Sequence, residues 1–248
     1  AHIFSLARNL PQANQSMHDC KWEKKKLMGV QVSEKTLGIM GFGKIGQLVG
    51  RIALGVGMNV LVYDPVISED IAANAGTRLV SMDELLKKSD FITMHVPKSE
   101  RTYHLISKKE FGKMKKGVRI VNCSRGGVID EEALVDAIKK GKVASAALDV
   151  FESEPPGQCE LVEMPNVYMT PHLGASTQEA QVNVAMDVAR QVVGFFEGEF
   201  PTNAVNMPSI KPEIMETHKP YFELARKLGE LHSGLLCGTI KSIGLRYE

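Results

Sequence analysis

The sequence holds no run of apolar residues approaching the roughly 18 that a membrane-spanning helix needs, so no contact with a bilayer core is predicted. Charge of one sign is missing as well. Thirty Lys and Arg stand against 29 Asp and Glu, a formal net charge of +1. No global field exists to gather nucleic acid or an anionic surface, so an anionic substrate has to be held by local groups. The four cysteines, Cys20, Cys123, Cys159 and Cys237, form no C-x-x-C pair. That spacing argues against a zinc site or a redox dithiol, so no metal is predicted; reduced thiols imply a cytoplasmic setting. No internal repeat and no low-complexity tract appears.

What is present is a strand-then-helix alternation. Apolar runs at Thr36–Gly41, Met58–Tyr63, Phe91–Val96, Val118–Asn122, Ser145–Val150 and Val167–Thr170 predict strands. Between them, Lys44–Leu54 carries Ile45, Leu48, Val49, Ile52 and Ala53 at helical spacing, and Asp130–Lys140 reads as a helix stopped by Gly141. Capping boxes at Ser81–Glu84 and Ser176–Glu179 open two more helices, the second reaching about Phe196. Nearly continuous apolar strands joined by helices predict an α/β fold, a doubly wound, Rossmann-like parallel sheet covered on both faces. At the chain's opening, Phe4, Leu6, Ala7 and Leu10 read as one helical face, an element already under way. The proline-rich stretch 201–211 reads as a linker. Tyr221–Leu236 is a further amphipathic helix with Leu224, Leu228, Leu231 and Leu235 on one side, and 240–248 reads as a strand.

Gly41-Phe42-Gly43-Lys44-Ile45-Gly46 is a G-x-G-x-x-G string. Alone it is weak, and an ordinary strand-to-helix turn would read the same way. Here it ends a strand, opens a helix, and is followed about 20 residues on by Asp64 at the next strand end. Gly41 then permits the tight turn, Gly43 lets the backbone approach a pyrophosphate, and Gly46 lets helix and strand pack closely. Asp64 suits the ribose hydroxyls of NAD and would repel the 2′-phosphate of NADP; no arginine follows it, only Pro65. A turn aspartate before proline is the bland alternative.

Three polar groups follow later strands. Arg125, in NCSRGG, can offer a planar fork to a carboxylate, with Gly126 and Gly127 leaving the backbone bare. Glu154 precedes Pro155-Pro156, and His172 follows Pro171. A histidine suits a hydroxyl-to-carbonyl proton shuttle, and a neighbouring carboxylate would orient it and favour its charged form. A surface arginine and a structural histidine are the ordinary readings of each residue alone; their occurrence at successive strand ends favours a site.

At these strings (GFGKIG, MHVP, NCSRGGVIDEEAL, ALDVFESEP and TPHLGAST) the chain resembles the D-isomer-specific 2-hydroxyacid dehydrogenases over essentially its whole length. The resemblance implies NAD as cofactor and a small 2-hydroxy acid as substrate. Arg125 would bind the substrate carboxylate and polarise the carbonyl, Glu154 would pair with His172, and His172 would be the acid/base. Asp149 would contact the nicotinamide carboxamide, and His95, Val96 and Pro97 would lie along the cofactor. Lys44, Ile45, Cys123, His172 and Gly174 complete the cofactor contacts implied. Lactate, glycerate and formate dehydrogenases share the Arg, Glu and His. TPHLGASTQEAQ, and NAVNMP followed by PYFELARKLGELHSGLL, favour the members that oxidise 3-phosphoglycerate to 3-phosphohydroxypyruvate, the start of serine synthesis. The competing class is a non-catalytic NAD-sensing module like the corepressors of this fold, which the motifs alone do not exclude.

The resemblance also implies domains: 1–205 as the NAD-binding domain with interdomain helices, and 206–248 as a linker and the beginning of a regulatory region. A separate substrate domain would be built mostly from residues before the glycine string, of which only 40 occur here, so the chain is expected to hold one wall of a cleft. The long helix from Ser176 would return toward that lobe, leaving the faces around Phe4 and Val184–Val193 apolar. A homodimer through the cofactor domain is implied as well.

Overall fold

The structure, a computed structural model, describes residues 1–199, 204 and 212–235. It divides into two compact units, Ala1–Ser176 and Thr177–Glu248. The expected linker at 201–211 (residue 204 apart), Cys237 and the strand at 240–248 lie outside the described residues.

The first unit opens with α1 (His2–Arg8) and α2 (Leu10–His18). They are not one continuous face. Asn9 turns into the left-handed region at φ 52, ending α1, and Pro11 opens the next helix. Leu6 and Ala7 are fully buried, whereas Phe4 and Leu10 are exposed. The chain then alternates through β1 (Thr36–Met40), α3 (Lys44–Gly55), β2 (Asn59–Tyr63), α4 (Glu69–Asn74), β3 (Arg78–Leu79), α5 (Met82–Lys88) and β4 (Phe91–Met94). It continues through α6 (Lys108–Lys113), β5 (Val118–Asn122), α7 (Glu131–Lys139), β6 (Val143–Leu148), α8 (Glu160–Glu163) and β7 (Val167–Met169).

The seven strands form one sheet in the order β3-β2-β1-β4-β5-β6-β7, and every pairing is parallel. This is the doubly wound arrangement expected: β1 and β4 are neighbours although the chain leaves β1 in the other direction first. Ligands in such sheets bind beyond the strand C-termini at that reversal. The alternation of side chains along a strand feeds two cores. Phe91 joins Leu37, Ile39, Val60 and Val62 on one face, while Ile92 and Met94 join Leu85, Ile120 and Leu134 on the other.

α3 departs from its apolar pattern. Gly46, Gly50 and Ala53 are its buried residues, while Ile45, Leu48 and Ile52 lie on the surface. Small side chains win the inner face because the helix lies close on β1: a Cβ on Gly46 would stand 2.2 Å from the Gly41 carbonyl oxygen.

The second unit holds α9 (Gln178–Phe196) and α10 (Pro212–Leu235). Thr177, one residue later than the capping box placed it, caps α9 by accepting from the Ala180 N–H. α10 begins well before Tyr221 and continues through Pro220; Leu224, Leu228, Leu231 and Leu235 are exposed, as are Val184, Val188 and Val193 of α9. Among the described residues no helix is long and apolar enough to cross a membrane, and no cluster of His, Cys, Asp and Glu could hold a metal ion.

Candidate active site

The glycine string occupies the turn between β1 and α3, and each glycine is required for a different reason. Gly41 adopts φ +90, and a Cβ there would meet the His95 carbonyl oxygen at 2.6 Å. Its N–H donates to the Tyr63 carbonyl, tying the turn to β2. Gly46 is closed by the Gly41 carbonyl, as above. Gly43, by contrast, has no atom within 4 Å of where its Cβ would be. It is the N-cap of α3 and makes no side-chain cap, so the first N–H groups of a 12-residue helix are left for another acceptor. An open approach at Gly43 beside uncapped donors fits the pyrophosphate of a dinucleotide. Lys44 and Ile45 form the exposed start of that helix.

Asp64 follows β2. One of its oxygens accepts from the Phe42 N–H at 2.8 Å, inside the glycine turn, and the other from Val66 N–H at 2.9 Å. The carboxylate is therefore fixed beside the turn. It can accept about four hydrogen bonds in all, which leaves capacity for ribose hydroxyls. Across the reversal, His95 donates its backbone N–H to the Met40 carbonyl, and its Nε2 lies 3.1 Å from Thr93 Oγ1. Burial holds its imidazole down to about 4, so His95 is neutral near pH 7. Val96 and Pro97 continue from it along the strand ends.

The second group of residues lies beyond β5, β6 and β7. Asn122, buried at the end of β5, accepts from both the N–H and the hydroxyl of Ser124 and donates its amide to the Arg125 carbonyl. This clamp shapes the turn that presents Arg125, an exposed residue whose Nη1 donates to the Ser124 carbonyl at 2.6 Å. Gly126 is needed for space rather than for φ. A Cβ would fall 1.6 Å from the Phe151 carbonyl oxygen, so the arginine turn and the loop after β6 are in backbone contact. Gly127 adopts φ +80. Cys123 sits between; burial pushes its thiol up to about 11, so it stays protonated and unreactive.

In the loop after β6, Glu154 accepts from the Phe151 N–H through Oε1, while Oε2 lies 2.8 Å from His172 Nδ1. The hydrogen bond from His172 is the chief reason its carboxyl is held below the ordinary value of 4.5. Nδ1 is thus the proton-bearing nitrogen facing the carboxylate, and Nε2 makes no hydrogen bond to any described residue. The imidazole is half exposed and carried on a residue at φ 53.

Asp149 does something the sequence did not suggest. Its buried carboxylate accepts from Thr170 Oγ1 at 2.5 Å and from the N–H groups of Leu173 and Gly174 at 2.8 Å. It anchors the turn bearing His172 on both sides. Gly174 is part of this anchorage, since its Cβ would stand 3.2 Å from Asp149 Oδ2.

The residues foreseen therefore divide. Glu154 and His172 are in direct contact; Arg125 reaches them through the Gly126–Phe151 backbone contact; Gly41, Gly43, Gly46, Asp64 and His95 gather around the turn after β1. Asn122, Ser124 and Thr170 were missed. Their signal was a cluster of small polar residues just past strand ends, where short side chains bind local backbone.

The family model described as D-isomer specific 2-hydroxyacid dehydrogenase, NAD binding domain, matches residues 1–174. The chain is 50% identical over 240 residues to D-3-phosphoglycerate dehydrogenase of Synechocystis sp., covering 97% of this chain and 43% of that protein. The same comparison with D-3-phosphoglycerate dehydrogenase of Homo sapiens gives 43% over 244 residues, 97% of this chain and 46% of that protein. The chain thus spans less than half the length of these relatives. Among solved structures, D-lactate dehydrogenase from Aquifex aeolicus complexed with NAD and lactic acid superimposes with TM-score 0.74 at 32% identity, over 84% of this chain and 68% of that one. The holo form of Rhodotorula graminis D-mandelate dehydrogenase gives TM-score 0.78 at 30% identity, over 84% and 64%.

Proposed function

The chain belongs to the D-isomer-specific 2-hydroxyacid dehydrogenases, as an NAD-binding domain of that family, and on this premise we propose that its parent enzyme oxidises 3-phosphoglycerate to 3-phosphohydroxypyruvate. The observation that carries the chemistry is the 2.8 Å contact of Glu154 with His172, on the same sheet edge as a strand-end turn open to a dinucleotide. Substrate choice is supported by identity of 43–50% to phosphoglycerate enzymes, against 32% to the D-lactate enzyme.

Gly41, Gly43 and Gly46 with the α3 N-terminus would hold the pyrophosphate, and Asp64 the adenosine ribose. NAD, when bound, supplies the hydride acceptor for the C2–H of the substrate. His172 Nε2 takes the C2 hydroxyl proton as the carbonyl forms, so the alcohol loses a hydride from its carbon and a proton from its oxygen. Glu154 faces the imidazolium thus formed and stabilises it, as a carboxylate on Nδ1 does in general. Arg125 retains donors beyond the one given to Ser124 and can fork onto the substrate carboxylate. Asp149 holds the His172 turn still; its expected contact with the nicotinamide carboxamide is compatible with that work but would add to three bonds already made. In reduction, protonated His172 returns its proton to the carbonyl oxygen.

A homodimer and a cytoplasmic setting go with this reading. The exposed Ile45, Leu48 and Ile52 of α3, at i, i+3 and i+7, form an apolar stripe that supports association through this unit. The domain boundaries expected from the resemblance, near 205, are likewise part of the proposal. The experiment is NADH formation by the full-length enzyme with D-3-phosphoglycerate, D-glycerate and D-lactate side by side. Faster turnover of an unphosphorylated acid would overturn the substrate assignment, and no turnover of any would favour an NAD-sensing role.

A further inference from the structure

A second polar cluster stands beside the Arg125 and Glu154 loops. His104, in the connection between β4 and α6, donates its backbone N–H to the Gly127 carbonyl at 2.7 Å. Its Nε2 lies 3.0 Å from Glu152 Oε1, and its Nδ1 3.9 Å from Asp130. Glu152 and Glu131 are joined backbone to side chain in both directions: the Glu152 N–H donates to Glu131 at 2.7 Å and the Glu131 N–H to Glu152 at 3.2 Å. The Tyr103 ring stacks on His104 at 4.0 Å between centroids. Asp130 also accepts from Ser107 and from the Ala133 N–H. One residue thus joins three segments: His104 ties its own loop to the turn after β5 that carries Arg125 through its backbone N–H, and to the loop after β6 that carries Glu154 through its imidazole.

The position of these contacts matters. Gly127 is two residues from Arg125. Glu152 directly follows Phe151, whose N–H fixes Glu154 Oε1 and whose carbonyl abuts Gly126. The backbone contact at Gly126–Phe151 only sets how near the two loops come; repulsion cannot stop them parting or sliding. A directional bond on the same two loops can. Resting on the functional reading above, we propose that His104 is a positioning residue for the reaction, clasping the arginine turn to the glutamate loop through Gly127 and Glu152. His104 touches neither substrate nor cofactor in this role. It acts by holding Glu154 at the distance from which it grips His172, with Arg125 in register on the other side.

The charged groups facing the imidazole are Glu152, Asp130 and, through Glu152, Glu131. A ring nitrogen bound to an ionised carboxylate makes a stronger bond than a neutral pair, which is why an aromatic of equal size would not substitute.

The test uses the full-length enzyme in four forms: wild type, His104→Phe, His104→Gln and Glu154→Gln. His104→Phe keeps the stack on Tyr103 and removes both ring nitrogens; His104→Gln can still donate to Glu152 from the same left-handed backbone, at φ 49. Turnover, the KM for the acid, the KM for NAD and the NMR titration midpoint of His172 are read together. Misplacement of reacting groups by about 1 Å can cost on the order of 10²-fold. His104→Phe is expected to lose between about 5-fold and 10²-fold in kcat, leave the KM for NAD unchanged, and move the His172 midpoint toward that of Glu154→Gln. His104→Gln is expected to recover most of the loss. A His104→Phe enzyme with wild-type kcat and wild-type His172 midpoint, beside a Glu154→Gln enzyme that differs in both, overturns the clasp and leaves the functional reading standing. Glu154→Gln without any effect overturns that reading and the clasp with it. If His104→Phe does not fold, Glu152→Gln, which removes one charge at nearly constant shape, replaces it with the same expected and opposing outcomes.

Discussion

The turn after β1 and the loops after β5, β6 and β7 sit on the same edge of one sheet but are built from opposite materials. The first is made by leaving side chains out. Gly41 and Gly46 are closed in by carbonyl oxygens, Gly43 faces open space, and the carboxylate beside them, Asp64, is itself pinned to the turn. The second is made by side chains that tie down neighbouring backbone and one another: Asn122 to Ser124 and Arg125, Asp149 to Leu173 and Gly174, Glu154 to His172. A backbone cradle recognises a ligand part common to many enzymes, and needs only the conformation of one β-α-β unit. A side-chain network performs one reaction and depends on segments far apart in sequence agreeing to within a bond length.

That contrast can be broken or sharpened by substitution. The largest effect is expected from His172→Ala. Removing a placed proton acceptor should lower kcat by about 10²–10⁴-fold while NAD affinity, measured by calorimetry, stays as in the wild type. A parallel loss of NAD affinity would mean that the two regions are not separable. Next come two glycines three residues apart. Gly46→Ala drives a Cβ to 2.2 Å from the Gly41 carbonyl and should destabilise the fold by about 1–3 kcal/mol. Gly43→Val, with nothing within 4 Å of the Cβ, should leave the melting temperature alone and weaken NAD binding. Equal stability losses at the two positions would refute the idea of a cradle kept empty for a ligand.

A smaller effect belongs to Asp64→Ala. Loss of hydrogen bonds to a charged group amounts to about 1.5–3 kcal/mol, so NAD affinity should fall by roughly 10- to 10²-fold and the preference over NADP should narrow. Undiminished discrimination would assign it elsewhere. The smallest is a shift of pH profile in Glu154→Gln. Oxidation needs neutral His172. Without the facing carboxylate the bond to Nδ1 is no longer charge-assisted, so the part of the acid limb that follows the titration of Glu154 should be absent. In the wild type the Glu154 carboxyl is depressed below 4.5, so the Glu154–His172 bond is present above that pH and is lost as pH falls through the lowered value.

The same contrast explains what could be read without the structure. The cradle lies within residues 36–64, and its strands, helix and acid follow one another at the spacing the geometry imposes, so each part predicted the next. Arg125, Glu154 and His172 were legible as polar residues after apolar runs, and the resemblance supplied their roles. The supports were not legible. Nothing in one dimension says that Asp149 reaches Gly174, 25 residues on, or that His104 meets Glu152 across 48. The α3 stripe was read for its hydrophobicity, but the close approach at Gly46 hands the inner face to glycines and alanine. The two-residue strand β3 is too short to show a period, and the left-handed Asn9 that divides α1 from α2 looks like any residue in a helical pattern.

His172 sits at φ 53, a backbone region disfavoured by roughly 1–2 kcal/mol for residues with a Cβ, though histidine is among those that enter it. The fold would therefore be served at least as well by a residue that could do no chemistry. Glycine at 172 relieves the backbone and widens the unfolded ensemble, two effects of similar size and opposite sign, while the three bonds from Asp149 hold the turn regardless. His172→Gly should accordingly be a folded, inert protein, with Arg125, Glu154 and the glycine turn all in place. It is the form in which NAD and a hydroxy acid could be held together long enough to be seen, because the only part removed is the one that makes them react.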